Sequence, residues 1–285
     1  MELTHKADRA GRLSSFLRGE MRMSLGLMNR LKWGDAIRVN GIPAHTDYPV
    51  CPGDVITVAL EAETPEYPAE PGQITVLYED EYILAVEKPA GMLIHPSHSR
   101  NSGTLANFVQ WYYQEKGINS AFHPLTRLDR DTFGVVLLGK NAHISQLLQA
   151  GHIRKTYHAL TFGGPEGDSG TIDLPIARKP LPSLLREIRP DGKPSVTEYR
   201  VLERNEELCK LELRPITGRT HQLRLHCAAM GYPILGDPQY GSPASMEYSR
   251  GLGLETQLLC AKSLELDHPI TGAYLRICSR MDAAL

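Results

Sequence analysis

Two carboxylates and two guanidinium groups lie close together between residues 125 and 134, in the segment LTRLDRDTFG. Residues 135 to 138 form an apolar run typical of a buried strand, so Asp129 lies just before the chain enters the core. A half-desolvated carboxylate needs a nearby cation to stay ionised at neutral pH, and Arg127 and Arg130 are the local candidates. The segment therefore indicates either a reactive carboxylate or a salt-bridged surface turn.

A better cation for this carboxylate stands later in the chain, within the segment GRTHQLRLH from residue 218 to residue 226. We expect Thr220 to cap a helix there, and the residues expected on its apolar face are Leu223, Cys227 and Met230. Arg224 lies one turn from His221 near the helix start, so its guanidinium can point toward a cleft.

The composition is that of a globular chain outside the membrane. Of its 285 residues 41% are hydrophobic and 22% are charged, and no apolar run approaches the roughly 20 residues that cross a bilayer. The first ten residues have no apolar targeting region, so we expect a cytoplasmic protein. The five scattered cysteines lack the spacing of a zinc or redox pair and are expected to be buried free thiols. The sequence thus predicts neither a metal nor a cofactor.

Charge is distributed unevenly beneath a net charge of −2. Residues 1 to 40 hold eight Lys or Arg against four Asp or Glu, whereas residues 41 to 72 hold six acids and no Lys or Arg. Two short helices with basic faces are expected, followed by a hairpin turning at Asn40-Gly41 and a strand from residue 55 to residue 60. A basic surface can bind nucleic acid despite the neutral total.

This order of elements resembles the S-four-type RNA-binding domain. We interpret residues 1–62 as such a domain and the proline-rich, acidic residues 63–73 as a linker. In this interpretation a few cations contact RNA phosphates, namely Arg12, Arg30, Lys32 and Arg38. The alternative is a small packing domain with an ordinary solvated basic face.

Residues 74–285 show many alternating, antiparallel-looking strands and few helices. This pattern predicts an α+β fold, with a mixed, mainly antiparallel sheet and flanking helices behind the small N-terminal α/β domain. Residues 92 to 94 look like a short strand, and Tyr157 lies on a strand from residue 155 to residue 162. Residues 178 to 193 are basic and rich in proline, so we expect a long mobile loop that could grip an RNA backbone.

Four stretches together resemble the motifs of the RluA-type pseudouridine synthase family. In chain order they are KPAG (88–91) with His95-Pro96, RLD (127–129), KTY (155–157), and GRTHQLR (218–224) followed by GD (236–237) and YG (240–241). The resemblance implies isomerisation of a uridine already in RNA. It maps the family's essential Asp onto Asp129, its motif Tyr onto Tyr157 and its motif Arg onto Arg224. Arg127 corresponds to the Arg that helps displace the flipped base.

The residue types suit this chemistry on their own account. A uridine in folded RNA must leave the stack before its glycosidic bond can be reached, and a planar cation such as Arg127 can fill the gap. An ionised carboxylate near the sugar and ring can attack or stabilise an electron-deficient centre. Arg224 would hold Asp129 charged through paired hydrogen bonds, and Tyr157 could stack on the base or relay a proton.

Two positions depart from the family pattern. Thr126 stands where a His is common, and Phe133 where Ser or Thr is common, which leaves the target RNA open. We expect structured RNA as the partner, with ribosomal RNA favoured over transfer RNA. The sequence indicates no protein partner, and we expect a monomer. The alternatives are an RNA-binding assembly factor without turnover and a glycosidase using Asp129 and Asp131, although Asp131 is better read as a turn residue.

Overall fold

A computed structural model describes residues 1–97, 101–180, 182–183 and 185–284. The chain divides into two compact units. The first comprises Met1–Thr64 with Asn119–Ala121, and the second comprises Pro65–Ile118 with Phe122–Leu285. The division after Thr64 falls inside the segment that the sequence predicts to be a linker.

The first unit contains two helices and a four-stranded antiparallel sheet in the order β1-β6-β3-β4. Its elements are β1 (Glu2–Lys6), β2 (Gly11–Arg12), α1 (Leu13–Gly19), α2 (Leu25–Leu31), β3 (Ile37–Val39), β4 (Ile42–Pro43), β5 (Pro49–Val50) and β6 (Val55–Ala59). The two helices and the hairpin at Asn40-Gly41, where both residues have positive φ, agree with the sequence pattern. Strand β1 was not predicted, because its side chains barely alternate in polarity.

The second unit is built on a ten-stranded sheet with the path β12-β15-β16-β11-β17-β10-β8-β7, to which β18 and β9 are added at β17 and β10. Its strands are β7 (Thr75–Glu79), β8 (Ile83–Lys88), β9 (His123–Pro124), β10 (Phe133–Gly139), β11 (Arg154–Phe162), β12 (Ser169–Asp173), β13 (Ile176–Arg178), β14 (Arg186–Ile188), β15 (Val196–Arg204), β16 (Leu208–Pro215), β17 (Leu259–Asp267) and β18 (Tyr274–Cys278). Apart from the parallel pair β10–β17, its strand pairs are antiparallel. The predicted α+β class with a mixed, mainly antiparallel sheet is confirmed.

Among the described residues of the second unit there are four helices: α3 (Leu105–Glu115), α4 (Ala142–Ala150), α5 (Gln222–Ala229) and α6 (Pro243–Gly251). Leu105 and Val109 of α3 pack in the core cluster with strands β8 and β10, and Leu223 and Cys227 of α5 pack in a second cluster with β11 and β16. Helix α6 has only two buried residues, both Ser, so hydrophobic periodicity could not reveal it.

The structure corrects several local predictions. Residues 92 to 94 are not a strand. The basic segment 178–193 contains most of the two-stranded hairpin β13–β14 rather than one long loop, and its residues Leu181 and Leu184 lie outside the described residues. Met230 is 41% exposed because the helix has ended before it. Two of the five free cysteines, Cys51 and Cys278, are exposed rather than buried.

Candidate active site

Asp129 lies in the loop that joins β9 to β10, and a buried lysine fixes this loop. The Lys88 ammonium donates hydrogen bonds to the carbonyl oxygens of Pro89, Met92 and Arg130, at 2.9, 2.8 and 2.7 Å. Burial lowers the pKa of Lys88 to about 8 against the raising effect of Asp131 and Asp129. The three carbonyl acceptors favour the charged form, so the lysine clamps the backbone beside Asp129.

Strand β10 leaves this loop so close to β17 that only glycine fits at its second position. Gly134 has φ +111, and a Cβ atom there would collide with the backbone of Ala261. Residue 134 pairs with Ala261 in the short parallel ladder between the two strands. The approach brings the Asp129 loop beside β17, and β11 follows on the other side of β17.

Arg224 is buried at the start of α5 and binds two carboxylates. Its Nη1 donates to Asp129 Oδ2 at 3.2 Å, which joins residues 95 positions apart in the chain. Its Nε and Nη2 donate to the two oxygens of Asp237, both at 2.7 Å, and Nη2 also donates to Gln239 Oε1 at 2.9 Å. The prediction of paired hydrogen bonds to Asp129 is therefore wrong, because the paired arrangement is made with Asp237.

The two carboxylates differ in their exposure. The Asp237 side chain is 1% exposed and that of Arg224 is 5% exposed, whereas the Asp129 side chain is 28% exposed. Burial acts to lower the pKa of Arg224, but the hydrogen bonds and charges of Asp237 and Asp129 outweigh it and raise the pKa. The guanidinium is therefore a permanent cation, which Asp237 holds and which Asp129 meets from the solvent side.

Tyr157 contributes an aromatic ring to the same site. It lies on β11 at a register shift against β17, which falls between Thr156 and Tyr157. Burial, followed by the charge of Asp129, raises the pKa of Tyr157, so its hydroxyl stays protonated at neutral pH. The side chain can stack on a base and can donate a proton in a hydrogen bond, but it is not a base at neutral pH.

Asp129, Tyr157 and Arg224 line one pocket of about 530 Å³. This volume lies within the roughly 300–1,000 Å³ of small-molecule sites. Arg127 is exposed and Lys155 is half-buried, and both also line the pocket. Burial and the charge of Arg127 lower the pKa of Lys155. The pocket therefore combines one carboxylate, an aromatic face and several cations, which suits an anionic chain that presents a flat ring.

The start of α5 differs from the prediction. Gln222 is the first helical residue and His221 precedes it, so Thr220 is not the cap. His221 has φ +57 and ψ +18, a left-handed conformation that is uncommon for residues other than glycine. The His221 side chain lines the pocket, and its Nε2 lies 4.0 Å from Asp129 Oδ2. His226 is buried and bonded to Thr197 and Leu174, which makes it structural.

The two residues that depart from the family pattern both face the protein interior. Thr126 is 2% exposed, and its hydroxyl accepts a hydrogen bond from the backbone of Leu137. Phe133 packs with Cys260 and Ala283. Asp131 pairs with Arg130 through two hydrogen bonds of 2.9 and 3.0 Å and does not line the pocket. This geometry agrees with a structural rather than a catalytic Asp131.

The four cations predicted to contact phosphates all lie in the first unit. Arg12, Arg30 and Arg38 are exposed and Lys32 is partly exposed. The Arg30 guanidinium lies 3.5 Å from a Glu61 oxygen, and Arg38 donates to the Asp35 carbonyl. The Lys32 ammonium lies 4.9 Å from the ring centre of Trp33. RNA binding by these residues stays a prediction.

Sequence reasoning missed the residues that support the site. It noted Gly236-Asp237 and Tyr240-Gly241 as motif positions but gave them no role, and it did not single out Gln239. A buried partner for Arg224 could have been sought among the acids near a turn, because a buried guanidinium requires one. Among the described residues, no group of His, Cys, Asp or Glu could hold a metal, and no helix has the length and apolar character for crossing a membrane.

A mixed sheet carrying a carboxylate, an arginine and a tyrosine around one pocket is the arrangement that the sequence motifs predict, and comparison with known proteins gives the class. The family model described as RNA pseudouridylate synthase matches residues 82–229. The chain therefore belongs to the RNA pseudouridine synthase family, whose members isomerise uridine in RNA, and the RluA-type resemblance is confirmed.

Individual relatives span most of the chain. It is 37% identical to the uncharacterized RNA pseudouridine synthase YlyB of Bacillus subtilis (strain 168), over 83% of this chain and 79% of the relative. It is 34% identical to ribosomal large subunit pseudouridine synthase D of Haemophilus ducreyi, over 84% and 77% respectively. The structure of human RNA pseudouridylate synthase domain containing 1 matches with a TM-score of 0.60 and 26% identity, covering 74% of this chain and 86% of that one.

Proposed function

We propose that the protein converts specific uridines of structured RNA to pseudouridine, with ribosomal RNA favoured over transfer RNA. The observation that carries the proposal is the contact of Arg224 with the partly exposed Asp129 at a pocket large enough for one nucleoside. The name of the Haemophilus ducreyi relative, a ribosomal large subunit enzyme, supports ribosomal RNA as the substrate class.

In the proposed reaction the target uridine leaves the base stack and enters the pocket. Arg127, exposed at the pocket, would occupy the space that the base vacates. Tyr157 would stack on the uracil and confine it. The cationic side chains of the first unit would bind the phosphates of the surrounding RNA, since phosphate contacts do not depend on the base sequence.

Asp129 is then the catalytic carboxylate. As the bond between ribose C1′ and uracil N1 breaks, its ionised oxygen attacks or stabilises the electron-deficient centre. The uracil turns and a bond forms between C1′ and C5. C5 then loses its proton to solvent and the freed N1 takes up a proton, so the product is an isomer of the substrate. Arg224 keeps Asp129 charged and oriented, because the guanidinium itself is anchored by Asp237. No electron is transferred in this sequence and no phosphoryl group moves, so the residues need no cofactor.

A glycosidase would need a second carboxylate in the pocket. Asp131 does not meet this need, since it is paired with Arg130 and does not line the pocket. The two reactions also differ in product. An isomerase leaves the RNA mass unchanged and releases tritium from uracil C5, whereas a glycosidase releases free uracil.

The test is incubation of the purified protein with ribosomal and transfer RNA made from tritium-labelled uridine, with pseudouridine mapping in a strain lacking the gene and in its parent. We expect tritium release from ribosomal RNA and the loss of at least one mapped ribosomal pseudouridine in the deletion strain. Release of uracil, or an unchanged map together with no tritium release from either RNA, would overturn the proposal.

A further inference from the structure

His221 shares the pocket with Asp129, and the reaction described above gives it no task. Its Nε2 and the Nη1 of Arg224 approach the same carboxylate oxygen, Asp129 Oδ2, at 4.0 and 3.2 Å. Only 16% of the His221 side chain is exposed. The backbone of His221 is held in the left-handed region, and a non-glycine residue there is often found at a functional site.

Tyr240 contacts Nδ1, the other ring nitrogen of His221. The Tyr240 hydroxyl oxygen accepts a hydrogen bond from the backbone N–H of Arg186 at 2.9 Å, and it lies 2.9 Å from His221 Nδ1. Burial raises the pKa of Tyr240, so the hydroxyl keeps its own proton and can donate it to Nδ1. An Nδ1 that accepts leaves the proton of a neutral imidazole on Nε2, which faces Asp129.

Burial favours the neutral form of this imidazole. Burial lowers the pKa of His221, and the charges of Arg224 and Arg186 lower it further, against the opposing effect of Asp129 and Asp237. The same Asp237 that binds Arg224 also accepts the backbone N–H of Tyr240 at 3.1 Å. One buried carboxylate thus positions the arginine and the loop that carries Tyr240.

We propose that His221 is a positioning residue, which donates a hydrogen bond from its Nε2–H to Asp129 Oδ2 when the nucleoside enters and so presents Asp129 Oδ1 to the substrate. Arg224 and His221 would then bind one oxygen from two directions and fix the rotation of the carboxylate. A closing movement of about 1 Å converts 4.0 Å into a normal hydrogen-bond distance. This role deepens the proposed function and rests on it.

The test compares His221→Ala, His221→Gln and Tyr240→Phe under single-turnover conditions, with RNA affinity measured separately. Gln can place an N–H donor near the position of Nε2, so we expect it to retain activity within about fivefold of wild type. His221→Ala should lower the rate at saturating RNA by about ten- to a hundredfold with RNA affinity changed less than twofold. Tyr240→Phe should lower the rate in the wild-type background and have no further effect in His221→Ala.

A second readout does not depend on turnover. The ¹⁵N spectrum of imidazole-labelled protein should show a neutral His221 protonated on Nε2, assigned by its loss in His221→Gln, and Tyr240→Phe should admit the other tautomer. Rates for His221→Ala equal to wild type, equal losses for Ala and Gln, additive effects of the two substitutions, or a proton on Nδ1 would each overturn the proposal. If wild type itself releases no tritium, the proposed function fails while the tautomer result stands by itself.

Discussion

The guanidinium of Arg224 binds the buried carboxylate of Asp237 with two hydrogen bonds of 2.7 Å and the more exposed carboxylate of Asp129 with one of 3.2 Å. The shorter, paired contact is therefore made with the carboxylate that is buried and does not line the pocket. Arg224 is thus anchored by a buried partner, whereas the side chain of Asp129 is 28% exposed and lines the pocket. The dependence of Asp129 on Asp237 leads to the first prediction.

Asp237→Asn should destabilise the protein and reduce activity. The substitution removes the negative charge from a side chain that is 1% exposed and leaves the Arg224 cation buried with weaker compensation. Removing one partner of a buried ion pair lowers the free energy of unfolding by about 3–5 kcal/mol. Because Asn keeps the shape of Asp, we expect a loss near the lower limit. Urea unfolding measures the loss. The matched control is Asp267→Asn, at an exposed strand end, which should change stability by less than about 0.5 kcal/mol.

Arg127→Ala should impair reaction at a uridine in a duplex more than at the same uridine in an unstructured oligonucleotide. Extrusion from a stack costs a few kcal/mol, and Arg127 is the exposed pocket cation proposed to offset it. We expect a loss of roughly ten- to a hundredfold on the duplex and less than about threefold on the oligonucleotide. Arg130→Ala, which removes a neighbouring cation paired with Asp131, is the control. Equal losses on both RNAs would remove the stacking role.

Tyr157→Phe should lower the rate by the same factor at every pH between about 7 and 9. Burial and the charge of Asp129 raise the pKa of Tyr157, so its hydroxyl stays protonated across this range and its contribution does not titrate. Single-turnover tritium release against pH is the measurement. A defect that disappears as the pH rises toward 9 would mean that wild-type Tyr157 ionises there, contrary to the structure.

Arg12→Ala combined with Arg38→Ala should weaken RNA binding without changing the rate at saturating RNA. Both side chains are exposed in the first unit, and neither lines the pocket that contains Asp129. If each neutralises one phosphate, the slope of log affinity against log salt should fall by about 1.4–1.8 in all. Filter binding over a salt series tests this, with Arg276→Ala in the second unit as control. An unchanged slope would leave the first unit as a packing domain.

The sequence was most informative where chemistry and periodicity coincide. Asp129 and Arg224 could be singled out by residue type beside a strand and a helix with clear apolar faces, whereas Tyr157 was assigned to the site through the resemblance of its motif to the family. The partner of Arg224 could not be assigned from the sequence. Asp237 lies on a turn, where a polar side chain is usually exposed, and only the tertiary fold buries it. The start of α5 was misjudged for a related reason, as Thr220 is a good cap by type but His221 takes the capping position in a strained conformation.

The departures at Thr126 and Phe133 show the limit of interpreting a motif without coordinates. Both positions lie in the stretch around Asp129, so in the sequence they left the target RNA open. In the structure Thr126 binds the backbone of β10 and Phe133 packs in a core cluster. Both side chains are buried, which the motif alone does not show.

The central claim is that the carboxylate of Asp129 performs the isomerisation, and its most direct test is single-turnover tritium release by Asp129→Asn beside Asp131→Asn. The first variant should lose at least about a thousandfold in rate, equivalent to about 4 kcal/mol, while binding RNA as wild type does. The second should keep a rate of the same order as wild type, because Asp131 pairs with the exposed Arg130 and does not line the pocket. Comparable tritium release by Asp129→Asn and wild type would contradict the account.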